Sequence, residues 1–522
     1  MRQWMVAAKK ADFYAIAEKF HVDPVVARII RNREVIGEKN IRIYLGGNLS
    51  DLSDPHQMKD MDRLVEILVQ KIRKQVRIRI IGDYDVDGVT SSHLFLTALR
   101  RVGAKVDVVI PHRIQDGYGL SLHLLQQAKE DGVDTILTCD NGIAAIDEIA
   151  WAKAQKMTVL VTDHHAVPFE EHEGRRTEKK SLADAVVNPH QQDCGYPYKE
   201  LCGAGVAWNV IRVLYENYDM DKREAEDLLD FVAMATVCDV MSLTGENRIL
   251  VKEGLKRICH TKNIGLQALM QACNVQPENI SAYHFGYVLG PCVNATGRLD
   301  TARHALRLFE TGQETEAEEI ARDLVDLNQE RKELTLQGVE MAKKLCEEGG
   351  YENDPVLVLF LPDVHESIAG LIAGRIREMY NRPVFVLTRG EEGVKGSGRS
   401  TENYSMYENM CGCAELFTKF GGHPMAAGLS LPEENVDKFR EKINACANLT
   451  EDDLIPKIKI DIPMPAAYAD AGLIREFAVL EPFGKANIKP QFADKNLSIT
   501  KAFVVGKNQN VLRLNLLTAA GE

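Results

Sequence analysis

The sequence has no run of about 18 apolar residues and no positively charged start followed by a short apolar region, the marks of a membrane-spanning helix and of a secretory signal. We therefore expect a soluble, cytoplasmic protein with no membrane association. Its eleven cysteines are an odd number without paired C-x-x-C spacing, so neither a disulfide framework nor a zinc ribbon is indicated. The closest pair, Cys411 and Cys413, is expected to be reduced and to lie at the start of a helix.

Positive charge is also scarce, because 63 Lys and Arg residues stand against 76 Asp and Glu residues, for a net charge of −13. Affinity for phosphate comes from Lys and Arg, so this balance argues against a passive nucleic-acid coat. Net charge is a weak guide where acidic residues gather at metal ions, since the ions invert the local field. The basic runs at 71–79 and 375–382 are interpreted mainly as solvated faces.

What the sequence does contain is an alternation of strand-like and helix-like segments from residue 76 onward, typical of a parallel α/β sheet. A length of 522 residues predicts about three domains, and an apolar fraction of 45% is ordinary for a globular protein. The predicted strands of the first α/β domain are 76–81, 105–110, 134–138, 157–161 and 185–187.

The most informative stretch is Gly82-Asp-Tyr-Asp-Val-Asp-Gly88, directly after the first of these strands. Its final glycine permits a sharp turn, and Thr90 and Ser91 can cap the helix that follows. Three carboxylates within five residues repel one another unless a cation lies between them, and hard oxygen ligands suit Mg²⁺ or Mn²⁺. Taken alone, the stretch is equally well explained as a metal site or as a solvated acidic turn.

Two later strands also end in residue types that bind metals. Asp140 follows the third strand, and Asp163-His164-His165 follows the fourth. The carboxyl ends of parallel strands meet at one edge of a sheet, where ligands bind, so these residues are predicted to gather there. Asp239 lies in an apolar helical stretch, 228–240, where a lone carboxylate is costly unless it is paired or metal-bound. A cap or a salt bridge is the alternative to a metal ligand.

The flanking regions carry weaker signals. Residues 1–75 are predicted to form a helical cap on the next domain, with a helix start at Asp23-Pro24 and a short extended piece at 41–45. Residues 313–348 form one long polar helical pattern, which predicts a rigid connector. In a second α/β unit, the glycine-rich stretches 395–400 and 421–424 are expected to be turns that allow close approach to an anion.

Near the end of the chain only two further strands are predicted, at 496–505 and 510–517. An OB barrel needs five, so the last domain is expected to be incomplete. The predicted domains are a helical cap at 1–75, an α/β domain at 76–312, a connector helix at 313–350, a second α/β domain at 351–450 and a partial β unit at 451–522.

Several motifs, in the right order, resemble the DHH phosphoesterase superfamily and, within it, the RecJ family of bacterial single-strand-specific DNA exonucleases of 5′→3′ polarity. The motifs are Gly82–Gly88, Pro111-His-Arg113 with Gly117-Tyr-Gly119, Asp163-His164-His165, Cys202-Gly-Ala-Gly205, Gly290–Arg298 and Gly421-Gly-His423. The resemblance spans residue 76 to the end. It implies a parallel-sheet DHH domain, a long helix, a second α/β DHH-associated domain and a partial OB-like unit.

The resemblance also implies a two-metal site that takes Mn²⁺ or Mg²⁺. The implied metal ligands are Asp85, Asp87, Asp140, His164 and Asp239. Catalytic roles are implied for Asp83, His165 and Arg298. Substrate contacts are implied for Arg113, Asn294, Ser397, Arg399 and His423, of which Arg113, Ser397 and Arg399 would form a pocket for the 5′-phosphate. The chain departs from the family at Asp363-Val-His365, where RecJ proteins usually carry Gly-Trp-His.

The implied function is metal-dependent degradation of single-stranded DNA, 5′→3′, to 5′-mononucleotides in DNA repair and recombination. Implied partners are single-stranded DNA, single-strand-binding protein and a helicase, and a monomer is expected. The alternatives are a DHH phosphodiesterase of short oligonucleotides or cyclic dinucleotides, a DHH pyrophosphatase, and a catalytically dead DNA-binding scaffold. The connector helix and the C-terminal β unit disfavour the phosphodiesterase, and the length of the chain disfavours the pyrophosphatase. The filled ligand positions disfavour the catalytically dead scaffold.

Overall fold

The structure is a computed structural model that describes residues 2–113, 116–117, 119–172, 175–390, 393–506 and 509–518. It divides into two units. The first comprises Val6–Leu324 with Lys459–Glu522, and the second comprises Met1–Met5 with Val325–Ile458. Across the described residues, every helix is too short or too polar to cross a membrane.

The N-terminal region is helical, as predicted. It contains strand β1 (Gln3–Val6) and helices α1 (Phe13–Phe20), α2 (Pro24–Asn32), α3 (Glu38–Gly46) and α4 (Met61–Arg73). The predicted helix start at Asp23-Pro24 is confirmed, because the Asp23 side chain accepts a hydrogen bond from the Val25 N–H. The predicted extended piece at 41–45 is wrong. Those residues lie inside α3, which buries Ile41 and Tyr44 on one face at helical spacing.

A five-stranded parallel sheet in the order β3-β2-β4-β5-β8 forms the centre of the first unit and confirms the predicted α/β fold class. Its elements are β2 (Arg77–Ile81), α5 (Val86–Arg101), β3 (Lys105–Val109), α6 (Leu122–Glu130), β4 (Thr135–Cys139), α7 (Ile146–Ala154), β5 (Thr158–Thr162), the hairpin β6 (Phe169–His172) and β7 (Arg175–Glu178), and β8 (Ala185–Val187). All five predicted strands agree with the observed ones to within one residue. Thr90 and Ser91 do not cap α5, because Asp85 caps it by accepting from the Gly88 N–H.

Helices complete the first unit around α5, which is buried along most of its length. They are α8 (Gly203–Glu216), α9 (Lys222–Glu226), α10 (Leu229–Cys238), α11 (Gly245–Ile258), α12 (Ile264–Ala272), α13 (Ala282–His284), a π-helical turn (Phe285–Leu289), α14 (Gly290–Leu299) and α15 (Ala302–Glu310). Helices α8, α10 and α15 pack against α5. The long helix α16 (Glu314–Glu348) follows, as the polar pattern predicts.

The second unit contains a mixed five-stranded sheet in the order β12-β13-β11-β10-β9, in which only β9 and β10 are parallel. Its elements are β9 (Leu357–Phe360), α17 (Glu366–Tyr380), β10 (Val384–Gly390), β11 (Gly393–Arg399), α18 (Met406–Cys411), β12 (Lys419–His423), β13 (Ala426–Leu431) and α19 (Val436–Ala445). The turns predicted at 395–400 and 421–424 are wrong, since β11 and β12 include most of these residues. Cys411 lies at the end of a helix, not at its start.

The C-terminal segment returns to the first unit. It contains β14 (Lys457–Ile460), β15 (Ile462–Pro463), α20 (Ala471–Glu476), β16 (Phe492–Ala493) and the antiparallel hairpin of β17 (Ser498–Val505) and β18 (Val511–Leu517). The two strands predicted here are confirmed. Every residue of these two strands is exposed.

The N-terminal helices and the C-terminal segment share one hydrophobic core, which residues more than 400 positions apart build together. Its buried members are Val26, Ile29, Ile30, Ile41, Tyr44, Ile462, Met464, Leu473 and Leu480. A buried ion pair adds to it, because the Arg33 guanidinium donates to both carboxylate oxygens of Asp461 at 2.6 and 2.9 Å. The cap predicted at 1–75 therefore packs on the C-terminal segment as well as on the sheet, where α4 contacts β8.

Arg248 of α11 joins this core to the helical layer. Its side chain is only 1% exposed, and its guanidinium donates to the backbone carbonyls of Tyr44, Val479 and Leu480 at 2.8, 2.7 and 3.0 Å. The Tyr44 ring centre lies 3.9 Å from the guanidinium carbon. Burial lowers the pKa of Arg248. One side chain thus satisfies carbonyls from separate parts of the chain.

We predict that Arg248→Ala lowers the free energy of unfolding by about 3 kcal/mol or more, because the carbonyls of Tyr44, Val479 and Leu480 each lose a charged donor. Leu480 keeps a second bond, from Asn487 Nδ2 at 2.8 Å. Urea unfolding followed by circular dichroism measures this effect. Lys256→Ala, on the same helix but with a side chain 66% exposed, is the matched control and should change stability by less than about 0.5 kcal/mol. Equal midpoints for the two variants would contradict the assignment.

Candidate metal centre

The carboxyl edge of the parallel sheet brings together the residues that follow three of its strands. The aspartates of the 82–88 stretch follow β2, Asp140 follows β4, and Asp163-His164-His165 follows β5. Asp140 adopts a left-handed backbone conformation with φ of 62°, which turns the chain sharply at the tip of its strand. Asp239 enters from the helical layer as the C-terminal cap of α10.

His164 lies in the middle of this cluster. Its Nε2 atom is 3.0 Å from Asp140 Oδ1, 3.6 Å from Asp239 Oδ2 and 3.7 Å from Asp87 Oδ2. Within the described residues this buried nitrogen makes no hydrogen bond. Three groups have ligand atoms within 4.8 Å of one another: Asp140 with His164 and His165, Asp87 with His164 and Asp239, and Asp83 with Asp85 and Asp140.

The carboxylates of the cluster repel one another in a buried setting. Burial first, and then the neighbouring carboxylates, raise the pKa values of Asp83, Asp85, Asp140 and Asp239 above the usual range. A cation among them would remove both costs. Several carboxylate oxygens with one imidazole nitrogen suit Mn²⁺ or Mg²⁺. The residues present therefore fit a divalent-cation centre.

The N-terminus of α8 holds Asp87 in place. The N–H groups of Gly203 and Ala204 donate to its two carboxylate oxygens at 2.6 and 2.7 Å. A Cβ atom at Gly203 would lie 2.6 Å from Asp140 Cβ, so only glycine fits between the two aspartates. Sequence reasoning treated 202–205 as a family motif without a role. Glycines at the start of a helix were the signal in the sequence that backbone N–H groups there bind a carboxylate or another anion.

Asp163 orients the histidines that follow it. Its Oδ1 accepts from the His164 N–H, the His165 N–H and the His165 ring Nδ1, the last at 2.8 Å. Burial alone would raise the pKa of Asp163, but these donors lower it below the usual range. Burial has the largest single effect and opposes the charge on His165, yet the hydrogen bond with Asp163 and the charges of the surrounding carboxylates together outweigh it and raise the pKa of His165 to about 9. Sequence reasoning assigned Asp163 no role.

Two predicted substrate contacts, Arg113 and Asn294, and the predicted catalytic residue Arg298 lie around the loop between β2 and α5. The Arg113 guanidinium is 4.8 Å from the centre of the Tyr84 ring. Asn294 Oδ1 accepts from the Val86 N–H at 3.1 Å. Arg298 follows Gly297, where a Cβ would lie 2.5 Å from the Tyr84 carbonyl oxygen. Sequence reasoning missed Tyr84, although its aromatic ring interrupts the acidic stretch. Tyr118 of the quoted motif lies outside the described residues.

The remaining predicted residues belong to the second unit and are close to one another there. Arg399 and His423 flank Ala426 from the two neighbouring strands, while Ser397 aligns with Gly428 and Gly421 on the same face. A Cβ at Gly421 would meet no atom of the described residues within 4 Å. Glycine and alanine thus leave the centre of this sheet face bare, with Ser397, Arg399 and His423 at its border. At Gly370 of α17, a Cβ would lie 2.8 Å from Arg399 Nη2.

The chain was compared with known protein families and structures. The model of the DHH family N-terminal domain matches residues 77–236, that of the DHHA1 domain matches 353–449, and that of the RecJ OB domain matches 460–520. The single-stranded-DNA-specific exonuclease RecJ of Haemophilus influenzae is 33% identical over 94% of this chain and 87% of its own length. The RecJ of Bacillus subtilis is 32% identical over 96% of this chain, which spans 62% of that relative's length.

Crystal structures of RecJ from Thermus thermophilus in complex with Mn²⁺ and with Mg²⁺ superpose with TM-scores of 0.83 and 0.77. Their sequence identities to this chain are 28% and 27%. Each match covers 98% of this chain, and 72% and 71% of the crystallised chain.

The parallel sheet with its acidic and histidine-rich edge, followed by the DHHA1-type mixed sheet, defines a DHH-superfamily protein. Within that superfamily, this chain belongs to the RecJ family. The resemblance found from the motifs alone is confirmed.

We predict that Asp140→Asn stabilises the metal-free protein and weakens the stabilisation by added Mn²⁺. The substitution removes one of several repelling carboxylates, and Asn tolerates the left-handed backbone of this position. Because the folded-state pKa is raised, the metal-free wild type should gain stability as pH falls towards that pKa, and the variant should gain less. Thermal melts in chelator and in Mn²⁺, over a pH range of about 5.5 to 8.5, measure both effects.

The exposed carboxylate of Asp147 on α7 provides the control. Asp147→Asn should leave the response to Mn²⁺ unchanged. If Mn²⁺ raised the melting temperature of Asp140→Asn and of wild type equally, Asp140 would not belong to the metal centre.

Proposed function

We propose that this chain is a divalent-cation-dependent exonuclease that degrades single-stranded DNA, 5′→3′, to 5′-mononucleotides in DNA repair and recombination. The observation that carries the proposal is the cluster around His164, in which carboxylates from three segments face one buried imidazole nitrogen. The curated relatives of this family are named single-stranded-DNA-specific exonucleases, and the Thermus thermophilus relative was crystallised with Mn²⁺ and with Mg²⁺.

Two divalent cations, Mn²⁺ or Mg²⁺, are proposed as cofactors. Their proposed ligands are Asp85, Asp87, Asp140, His164 and Asp239, with Asp83 beside them. When bound, such ions polarise a phosphodiester and neutralise the charge that develops on it. The protein's own contribution is a rigid set of ligands, since backbone donors hold Asp87 and a left-handed turn holds Asp140.

Other side chains would bind and orient the substrate. Arg113 and Arg298 carry guanidinium groups that match phosphate in a bidentate manner, and both lie near the loop that holds the aspartates. His165, whose Nδ1 bonds Asp163, would donate a proton to the leaving oxygen of the phosphodiester. Asn294 fixes the start of α5 through its contact with the Val86 N–H.

The second unit would supply the end recognition. Two-metal chemistry does not select a strand end, so polarity needs an anchor for the terminal phosphate. Ser397, Arg399 and His423 border a sheet face whose centre carries only glycine and alanine, which allows a phosphate to approach the backbone. They are the contacts to the 5′-phosphate and the strand that we propose for the second unit, as Arg113 is for the first.

Some expectations depend on the family resemblance alone. Single-strand-binding protein and a helicase are proposed as further partners, and a cytoplasmic location and a monomeric state are proposed for the same reason. The domain boundaries at 75, 312, 350 and 450 are proposals as well. The three matching family models each fall within one of the predicted domains.

The function is tested with 5′-labelled single-stranded DNA, blunt duplex and a dinucleotide, each in Mn²⁺ or in chelator. We expect the single strand to be degraded only with the metal, and degradation to stop at duplex junctions. His164→Ala should reduce the rate by about 10³-fold or more, because loss of a ligand removes several kcal/mol of transition-state stabilisation. His260→Ala, an exposed histidine just beyond the end of α11, is the control. Equal rates on duplex and single strand would refute the proposal.

The polarity assignment predicts that Arg399→Ala lowers the ratio of the rate on 5′-phosphorylated DNA to the rate on 5′-hydroxyl DNA by about tenfold, because a charge-assisted contact to the terminal phosphate is lost. The rate ratio between the two ends is the measurement. Arg389→Ala, in the same sheet but paired with Glu433 on the surface, is the matched control. An unchanged ratio, or digestion that starts at the 3′ end, would show that the pocket is assigned wrongly even if the nuclease activity is real.

A further inference from the structure

Two stacked tyrosines stand exposed on the helical segment that leads into α14. Tyr283 in α13 and Tyr287 in the π-helical turn have ring centres 5.0 Å apart and planes inclined by 22°. The two residues are 62% and 72% exposed. Packing does not require them, because Phe285 and Leu289 fill the core from the same segment and are fully buried. Exposing two large aromatic rings to water is unfavourable in free energy, and covering them with a ligand would be favourable.

Helical spacing explains why the rings meet. Tyr283 and Tyr287 are four positions apart on a continuous helical segment, a spacing at which side chains on one face are neighbours. The π turn starts between them, and such turns occur frequently at functional sites. The stacked pair places exposed aromatic surface at one point of this segment.

The tyrosines share a helix face with the proposed substrate residues. Along 287–298 the positions that are not buried are 287, 288, 291, 294 and 298, so the face of α14 that carries Asn294 and Arg298 continues to Tyr287. Asn294 and Arg298 are half-buried on that face, whereas 292, 293 and 295–297 are buried. From Tyr287 to Asn294 the helix rises by about 10 Å. The face therefore runs from the metal centre outward to the aromatic pair.

The inner side of the same segment is anchored beside a proposed metal ligand. Cys238, which directly precedes Asp239, donates through Sγ to the Phe285 carbonyl at 3.3 Å. A Cβ at Gly290 would lie 2.3 Å from Cys238 Sγ, so the segment packs closely on the end of α10. This contact fixes the distance between the tyrosines and the metal centre.

We propose that Tyr283 and Tyr287 form a stacking platform for the bases of a single-stranded nucleic acid, about three nucleotides from the phosphodiester at the metal centre. The proposal rests on the proposed function. Every base has an aromatic face, so stacking is independent of sequence. The rise of about 10 Å from Tyr287 to Asn294, which bonds Val86 of the acidic stretch, is the length of about three stacked nucleotides at about 3.4 Å each. Bases in a duplex are paired and stacked on each other, so the platform favours single strands.

The experiment combines protein variants with substrates that lack a base. Wild type, the double variant Tyr283→Ala with Tyr287→Ala, and the double variant Tyr283→Phe with Tyr287→Phe are compared in Mn²⁺ on a 5′-phosphorylated single strand of about 20 nucleotides. A series of substrates carries two adjacent abasic nucleotides at successive positions from the 5′ end. Tyr14→Ala, a tyrosine 78% exposed on α1, is the matched control. Binding in chelator, by fluorescence anisotropy, gives a readout without turnover.

The alanine variant should raise KM by roughly tenfold on the long strand, with a smaller effect on a dinucleotide that is too short to reach the rings. The phenylalanine variant should retain wild-type KM, because it keeps both rings. When the abasic nucleotides stand where the bases would contact the tyrosines, they should raise the wild-type KM by about the same factor as the alanine substitutions do. They should leave the KM of the alanine variant unchanged, because the abasic sites and the alanine substitutions remove the same contact. Tyr14→Ala should behave as wild type.

Wild-type KM and wild-type anisotropy in the alanine variant would overturn the platform, as would fully additive effects of the alanine and abasic changes. An equal loss on the dinucleotide and the long strand would also overturn it, because the tyrosines would then act through the fold of the metal centre. If wild type failed to degrade any single strand, the proposed function would fail, and the anisotropy comparison would still decide whether the tyrosines bind bases.

Discussion

Repulsion among buried carboxylates is the constraint on which the rest of this protein depends. Asp83, Asp85, Asp140 and Asp239 all have pKa values raised by burial and by one another. A fold that only needed stability would not place them together, because each ionised group is costly to bury. These carboxylates nevertheless lie together, at the edge of a sheet whose interior is apolar and well packed. Only cations or protons can relieve the repulsion, so the architecture of the first unit is arranged for a cation site.

The surroundings of the cluster separate ligands from supporting groups. Asp163 follows the same strand as His164, yet N–H donors surround it and lower its pKa, while carboxylates surround Asp140 and raise its pKa. Opposite shifts in neighbouring carboxyl groups indicate different roles. Asp163 is held in its ionised form by the donors around it and orients His165, whereas the charge of Asp140 is opposed by its surroundings. Gly203 belongs to the same support, since any larger residue would push α8 away from both Asp87 and Asp140.

The two units offer different chemistry to a substrate. The first carries the acidic cluster, two guanidiniums near Tyr84, and an aromatic pair on the helix that leads to Asn294. The second carries a sheet face with a bare centre, bordered by Ser397, Arg399 and His423. This division accounts for how a protein with a net charge of −13 could handle a polyanion. Five of the 76 acidic residues lie where metals would bind, and the proposed contacts to phosphate are a few individual side chains.

The sequence by itself determined the parallel sheet, its strand boundaries to within one residue, the long helix and the strand tips that hold the candidate ligands. These are local properties, because β-branched runs and the polar residues that end them are adjacent in the chain. Strands β11 and β12 were mistaken for turns, since their glycines are held by cross-strand pairing that no local pattern encodes. Only the tertiary structure decided that Arg248 joins distant segments, that the two ends of the chain share a core, and that Gly203 separates two aspartates. Each of these depends on residues tens to hundreds of positions apart, whose proximity is a property of the folded chain as a whole.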